Sequence, residues 1–133
     1  MSTIALETNT FSDTVRQGIV LVDFWAEWCG PCRAFAPVYE AASGRYPDAV
    51  FGKVDTEAQP ELAAAFEISA IPTLMVFRDG ILVFSRPGAL PGDALDRLIQ
   101  EVKKLDMDDV RRQIAEAKAA GKDKESEQEP PEA

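Results

Sequence analysis

The run Ile19-Val20-Leu21-Val22-Asp23-Phe24-Trp25 constrains the fold more than any other segment of this chain. It is almost continuously apolar, which is typical of a β-strand that is buried on both faces. A sheet built around such a strand needs a covering layer on each side. The segment therefore predicts a sheet with helices packed against both of its faces.

Strand and helix signals alternate along the rest of the chain. They predict strands at 4–6, 50–54, 73–77 and 81–84, and helices at 11–17, 34–46, 60–66 and 95–102. Asn9 is the expected cap of the first helix, and Asp79-Gly80 is the expected turn of a hairpin between the last two strands. The order β-α-β-α-β-α-β-β-α indicates an α/β protein with a mixed central sheet.

The length of 133 residues and the apolar content of 46% suit one domain with a hydrophobic core, which we expect at 1–104. Asp106 is a candidate cap for an additional helix at 105–120, where a thin apolar stripe begins at Met107. Residues 121–133 are almost wholly charged residues, Ser, Gln and Pro. This composition predicts a disordered acidic tail.

Cys29 and Cys32 are the only cysteines, and they directly follow the central strand. Two thiols separated by two residues can close a small disulfide ring and reopen it, whereas so short a loop restricts the unfolded chain too little to act as a staple. In a cytosolic protein this spacing favours redox chemistry or metal binding. The chain has no histidine, and two thiolates cannot complete a four-ligand zinc shell within one chain. We therefore favour redox chemistry.

The two thiols are predicted to have different roles. Cys29 lies where a helix begins, and the partial positive charge of a helix N-terminus favours a thiolate, the form that attacks disulfides. Gly30 and Pro31 suit the turn into that helix. Cys32 would lie inside the first helical turn and be less accessible. We therefore expect Cys29 to attack a target disulfide and Cys32 to resolve the resulting mixed disulfide.

Other positions are candidates for supporting roles. Asp23 is a carboxylate in a buried strand, so its pKa should be raised, and it could accept the proton of Cys32. The alternative is a structural aspartate that pairs with Lys53 of the neighbouring strand. Pro72 opens a buried strand, where the frequency of about 5–6% cis among X–Pro bonds favours a trans bond. Trp28 lies beside the thiols and is expected to cover them.

Charge and hydropathy exclude several classes of function. The net charge of −9 and the lack of a basic stripe argue against nucleic-acid binding. No apolar segment reaches the roughly 20 residues of a membrane span. The first residues lack the basic start and apolar run of a secretory signal, so we expect a cytoplasmic protein.

The chain resembles thioredoxin over about Ile4 to Lys104. The residues that carry the resemblance are Val22-Asp23-Phe24-Trp25-Ala26-Glu27-Trp28-Cys29-Gly30-Pro31-Cys32, Pro37, Lys53, Ile71-Pro72-Thr73, Gly80 and Gly88-Ala89. The resemblance implies the thioredoxin fold, a cis bond before Pro72, and tuning of the thiols by Asp23 and Lys53. It also implies a substrate groove formed by Trp28, Gly30, Pro31, Ala70, Ile71, Pro72, Gly88 and Ala89.

In this groove the backbone of Ile71 would pair with a bound peptide strand. The implied partners are oxidised protein substrates and, as electron donor, an NADPH-dependent thioredoxin reductase. We expect no metal and no cofactor beyond the redox-active disulfide, and we expect a monomer. Ala70 and Pro87 depart from the usual pattern beside the groove, which leaves the choice of partner open.

Two other functions remain as alternatives. The first is an oxidant or isomerase, although Gly-Pro between the cysteines resembles the reducing members, whereas oxidants and isomerases of this fold usually carry histidine there. The second is a binding module or holdase in which the acidic extension carries the function. A measured dithiol potential would separate the first alternative, and the activity of a protein without thiols would separate the second.

Overall fold

The structure is a computed structural model and describes residues 3–121. Its strands are β1 (Ile4–Ala5), β2 (Ile19–Trp25), β3 (Val50–Asp55), β4 (Thr73–Arg78) and β5 (Ile81–Pro87). Its helices are α1 (Phe11–Val15), α2 (Gly30–Arg45), α3 (Pro60–Ala65), α4 (Gly92–Lys103) and α5 (Met107–Gly121). Among these residues, no helix combines the length and the apolar character needed to cross a membrane.

The strands form one mixed sheet in the order β1-β3-β2-β4-β5. The central strand β2 pairs in parallel with β3 and antiparallel with β4. Apolar side chains of α1 and α3 pack on one face of the sheet, and those of α2 and α4 pack on the other. The predicted α/β fold with helices on both faces is therefore confirmed.

Side-chain alternation along β2 decides which face carries the one acidic residue of this strand. Val22 and Phe24 belong to the core cluster under α1 and α3, and Leu21 belongs to the cluster under α2 and α4. Because successive side chains of a strand point to opposite faces, Asp23 and Trp25 lie on the α2 and α4 face together with Leu21. This is the face against which the cysteine-bearing helix packs.

The predicted hairpin is confirmed, with Asp79 and Gly80 as its two-residue turn between β4 and β5. Both residues have positive φ values, 53° and 83°, as the two central residues of a type I′ turn require. The Asp79 carboxylate also accepts a hydrogen bond from the Gly18 N–H at 2.9 Å. Asp79 thereby ties the hairpin to the loop that leads into β2.

Helices α1 and α2 depart from the prediction in different ways. Helix α1 is shorter than 11–17 and is preceded by Thr10, which makes no side-chain cap; the Thr10 hydroxyl accepts instead from the Glu7 N–H at 3.1 Å. The expectation that Asn9 caps this helix is therefore wrong. Helix α2 begins four residues before the predicted position, at Gly30, because the residue before it acts as the cap.

The additional C-terminal helix is present as α5. The Asp106 carboxylate accepts from the N–H groups of Asp108 and Asp109 at 3.1 and 3.2 Å, so it caps the helix as expected. Leu105 packs against the core cluster of α2 and α4, and Met107 is buried, whereas all side chains of 111–120 are exposed. The first turn of the extension thus packs on the domain and the rest does not. The predicted tail, apart from Gly121 at the end of α5, lies outside the described residues.

Candidate active site

Cys29 and Cys32 form a disulfide at the start of α2, shortly after the end of β2, with their Cα atoms 5.2 Å apart. Cys29 is the cap residue of α2, and its Sγ accepts a hydrogen bond from the Cys32 N–H at 3.2 Å. Pro31 occupies the first helical turn, where its missing N–H leaves no hydrogen bond unmade. A sulfur atom therefore holds the place that an oxygen usually takes at a helix start.

The two sulfur-bearing residues are both nearly enclosed. Cys29 is 4% exposed and Cys32 is 2% exposed, so the predicted difference in access is small in this disulfide form. The larger difference lies in the contacts. Cys29 Sγ receives the helix N–H and lies 3.7 Å from the carbonyl oxygen of Ile71, whereas Cys32 begins the buried stripe of α2 that continues through Phe35 and Tyr39.

Asp23 is fully buried, and neither of its carboxylate oxygens has a hydrogen-bond partner among the described residues. Burial raises its pKa from 3.8 to about 7, and the positive charge of Lys53 opposes part of that rise. Lys53 is the register partner of Asp23 on β3. However, its Nζ lies over the ring of Trp25, 4.6 Å from the ring centroid.

The loop before β4 completes the site. The Ile71–Pro72 peptide bond is cis. This is the isomer that the family resemblance implies, whereas the general frequency of X–Pro bonds favoured the trans isomer. The Pro72 carbonyl accepts from the Gly88 N–H at 2.7 Å, and the Thr73 hydroxyl donates to the Ala70 carbonyl at 2.6 Å. The first bond holds Gly88, the residue after β5, beside the loop before β4, and the second bond closes that loop.

The residues of the expected groove mostly line an exposed surface. Exposed members are Trp28, Gly30, Pro31, Ala70, Gly88 and Ala89, whereas Ile71 is half-buried and Pro72 is buried. The partly buried side chains that pack against the disulfide are those of Trp25 and Ile71. Trp28 is 67% exposed, and the expectation that its ring covers the thiols stays a prediction.

Glu57 and Trp25, for which the sequence predicts no role, make contacts at the site. The Trp28 indole N–H donates to the Glu57 carboxylate at 3.1 Å, and the Glu57 N–H donates in turn to the Asp55 carboxylate at 2.9 Å. The ring of Trp25 lies under the Lys53 ammonium, 4.6 Å from it. Neither contact leaves a sequence signal, because acidic and aromatic residues at such spacings are common on any surface or in any core.

The part of the chain from 3 to 121 contains no group of three or more Cys, Asp, Glu or His residues placed to hold a metal ion. The chemistry that the site offers resides in its dithiol. Two thiols can give two electrons to a disulfide and become a disulfide themselves. A buried carboxylate whose pKa is about 7 can take up or release a proton at neutral pH.

Comparisons with known proteins agree with this site. The thioredoxin family model matches residues 2–101. A protein of Streptomyces coelicolor provisionally named thioredoxin 2 is 59% identical over 119 residues, which cover 89% of each chain. A thioredoxin of Staphylococcus saprophyticus is 41% identical over 76% of this chain and 98% of its own.

Solved structures give the same result. The thioredoxin of Plasmodium falciparum superposes with a TM-score of 0.68 at 38% identity, over 75% of this chain and 98% of its own. A mutant thioredoxin from Halobacterium salinarum gives a TM-score of 0.71 at 33% identity, over 78% of this chain and 92% of its own. The family model and these relatives, together with the disulfide at the start of α2, show what the chain is. It belongs to the thioredoxin family and is a dithiol–disulfide oxidoreductase that reduces protein disulfides.

Proposed function

We propose that Cys29 makes the first attack on the disulfide of a protein substrate and that Cys32 completes the reaction. The observation that carries this assignment is the place of Cys29 Sγ at the start of α2, where it accepts the Cys32 N–H at 3.2 Å. In the reduced protein, that N–H and the positive end of the helix favour negative charge on Cys29 Sγ. Cys32 lacks such a position because it lies inside the helix.

The reaction balances as a transfer of two electrons. The Cys29 thiolate attacks one sulfur of the substrate disulfide, the substrate S–S bond breaks, and the other substrate sulfur leaves as a thiolate. Cys32 then loses its proton and attacks Cys29 Sγ in the mixed disulfide. The Cys29–Cys32 disulfide forms, and the second substrate sulfur leaves. The substrate disulfide is reduced and the dithiol is oxidised.

Asp23 is our proposed acceptor for the Cys32 proton. It lies on the sheet face that α2 covers, and its carboxylate has no hydrogen-bond partner within the described residues that would compete for the proton. Burial brings its pKa to about 7, close to the pH at which the transfer takes place. Lys53 adjusts this value through its charge.

The exposed surface around the disulfide supports a groove for the substrate chain. Its members are small or apolar, apart from the large indole of Trp28, and Ile71 presents backbone groups beside Cys29 Sγ. An extended substrate segment can pair with the Ile71 backbone while its own disulfide reaches Cys29. Pro72 shapes this loop through its cis bond.

We place the working cycle in the cytoplasm, where a dithiol is kept reduced, with an NADPH-dependent thioredoxin reductase as the electron donor. The protein would act there as a monomer. This direction of electron flow requires a low reduction potential. The reduction potentials of known thioredoxins, as a class, are about −270 mV, whereas those of strong oxidants of this fold are about −120 mV. A potential near the second figure would favour the oxidant alternative.

The assignment of the two thiols is tested by alkylation of reduced single-thiol variants at pH 7. Cys32→Ala, which retains Cys29, should react at least about ten times faster than Cys29→Ala, because only the thiol at the helix start is largely ionised. In a coupled assay with reductase, Cys29→Ser should lose turnover, and Cys32→Ser should accumulate mixed disulfides with substrate. Faster alkylation of Cys32 than of Cys29 would overturn the assignment.

A further inference from the structure

We propose that Trp25 is a positioning residue for the buried carboxylate: its ring holds the Lys53 ammonium and so keeps Lys53 from forming an ion pair with Asp23. The inference rests on the proposed role of Asp23 as proton acceptor. Its geometry stands independently of that role. Three observations carry it, namely the register of β2 and β3, the place of the ammonium group, and the unpaired carboxylate.

The register brings the three side chains together. Asp23 on β2 is the partner of Lys53 on β3 in a parallel pair, and residues opposite each other in a sheet direct their side chains to the same face. Trp25 is two residues further along β2 and lies on that face as well. The long side chain of Lys53 is thus anchored beside both a carboxylate and an indole ring.

The Lys53 ammonium contacts the ring of Trp25 rather than the carboxylate of Asp23. Its Nζ lies 4.6 Å from the centroid of the Trp25 ring, within the distance at which a cation is attracted to an aromatic face. No ion pair joins Lys53 to Asp23 in the part of the chain that the structure describes, and both Asp23 oxygens lack a hydrogen-bond partner there. The carboxylate feels the lysine charge without direct contact.

The other elements around Asp23 supply no competing charge. Its partner on β4 is Leu74, and the buried side chains of α4 are apolar. Helix α2 presents Cys32 and Tyr39 to this face. The Tyr39 hydroxyl donates to the Gly52 carbonyl at 2.8 Å, and burial raises the pKa of Tyr39 well above its usual value, so that it stays neutral.

The consequence for the reaction follows from these contacts. A direct ion pair with lysine would hold the carboxylate ionised and make it a weaker proton acceptor. With the ammonium kept on the indole ring, Asp23 remains able to take up a proton near neutral pH. Trp25 therefore acts on the proton transfer through Lys53, without touching the substrate.

The test follows the titration of the Asp23 carboxyl carbon by NMR in the oxidised protein, in which the cysteines do not titrate. Trp25→Leu removes the ring face and keeps an apolar side chain, so the midpoint should fall by about half a pH unit or more as Lys53 moves to the carboxylate. Trp25→Phe keeps a smaller ring face and should give a smaller fall. It also serves as the readable variant if Trp25→Leu does not fold.

The matched control is the same pair of Trp25 substitutions in a Lys53→Gln background. With no ammonium to release, these substitutions should leave the Asp23 midpoint unchanged. An equal fall in both backgrounds would show that Trp25 acts only by excluding water, and no fall in the Lys53 background would show that the ring does not restrain the lysine. Either result overturns the inference.

Kinetics separate this inference from the proposed function. The pH profile for resolution of a mixed disulfide, measured in single turnover, should move with the NMR midpoint in each variant. If the NMR midpoint moves as expected while the kinetic profile stays in place, Trp25 holds Lys53 as inferred, and the proposed role of Asp23 as proton acceptor fails.

Discussion

The pH dependence of stability gives the sharpest test of the environment of Asp23. We expect Asp23→Asn to be more stable than the wild type at neutral pH, and we expect its advantage to grow as the pH rises. The folded pKa of about 7 lies above the value of 3.8 for a free carboxyl. Below pH 3.8 both the folded and the unfolded states hold the proton, so the carboxyl contributes its full stability there.

Between pH 3.8 and about pH 7, the unfolded state has lost the proton and the folded state still holds it. Stability therefore falls as the pH rises through this window, and the loss is complete above the folded pKa. A shift of about three pH units corresponds to roughly 4 kcal/mol of unfolding free energy in total, of which roughly 2.5 kcal/mol falls between pH 5 and pH 8. An asparagine does not ionise and avoids this loss.

The assay is urea unfolding of the oxidised wild type and of Asp23→Asn at pH 5 and pH 8. Because other titrating groups are shared, they cancel in the difference between the two proteins. That difference should increase by roughly 2.5 kcal/mol between the two pH values in favour of the variant. The reasoning is refuted if the difference is the same at both pH values, which would mean that the buried carboxyl titrates normally.

Two further predictions concern packing. Gly52→Ala should lower the free energy of unfolding by about 1–3 kcal/mol, because a Cβ there would lie 2.5 Å from Cδ1 of the buried Leu6. Gly44→Ala in α2, where a Cβ would have no atom within 4 Å, should raise the free energy of unfolding by about 0.5–1 kcal/mol. Similar unfolding free energies for the two variants would contradict this prediction. Truncation after Lys104 removes the two apolar residues that pack at the start of the extension and should cost roughly 2–4 kcal/mol, whereas truncation after Val110 should be close to neutral. Equal melting temperatures of the two truncated proteins would show that the start of the extension adds nothing to the domain.

The elements that the sequence predicts well are those whose signal is local. The apolar run of β2 and the Asp79-Gly80 turn each contain the physical reason for their structure, namely burial on both faces and a pair of residues that tolerate positive φ. The start of α2 was misplaced because a cysteine is an unusual cap residue, and the pattern of apolar spacing begins only within the helix. A rule based on the common cap residues therefore misses the start of this helix.

The parts of the site that the sequence does not predict depend on contacts between distant residues. Glu57 contacts Trp28 because the loops after the parallel strands β2 and β3 begin at the same edge of the sheet. Whether the Lys53 ammonium contacts the Trp25 ring or the Asp23 carboxylate depends on side-chain geometry at one register position. Such choices are decided by tertiary placement, which spacing along the chain does not encode.

The depth of the disulfide governs what can react with it. An attacking sulfur must approach a disulfide roughly along the line of the S–S bond, and Cys29 offers only 4% of its surface at this point. We expect that a thiol or disulfide held within the surface of a compact partner cannot reach the Cys29 sulfur unless part of that partner unfolds locally first. Each additional 1.4 kcal/mol or so of opening free energy then slows the exchange about tenfold. Because the two cysteines are so deeply buried, we expect exchange to be faster with partners whose sulfur-bearing segment opens readily, even where the sequences of those segments are alike.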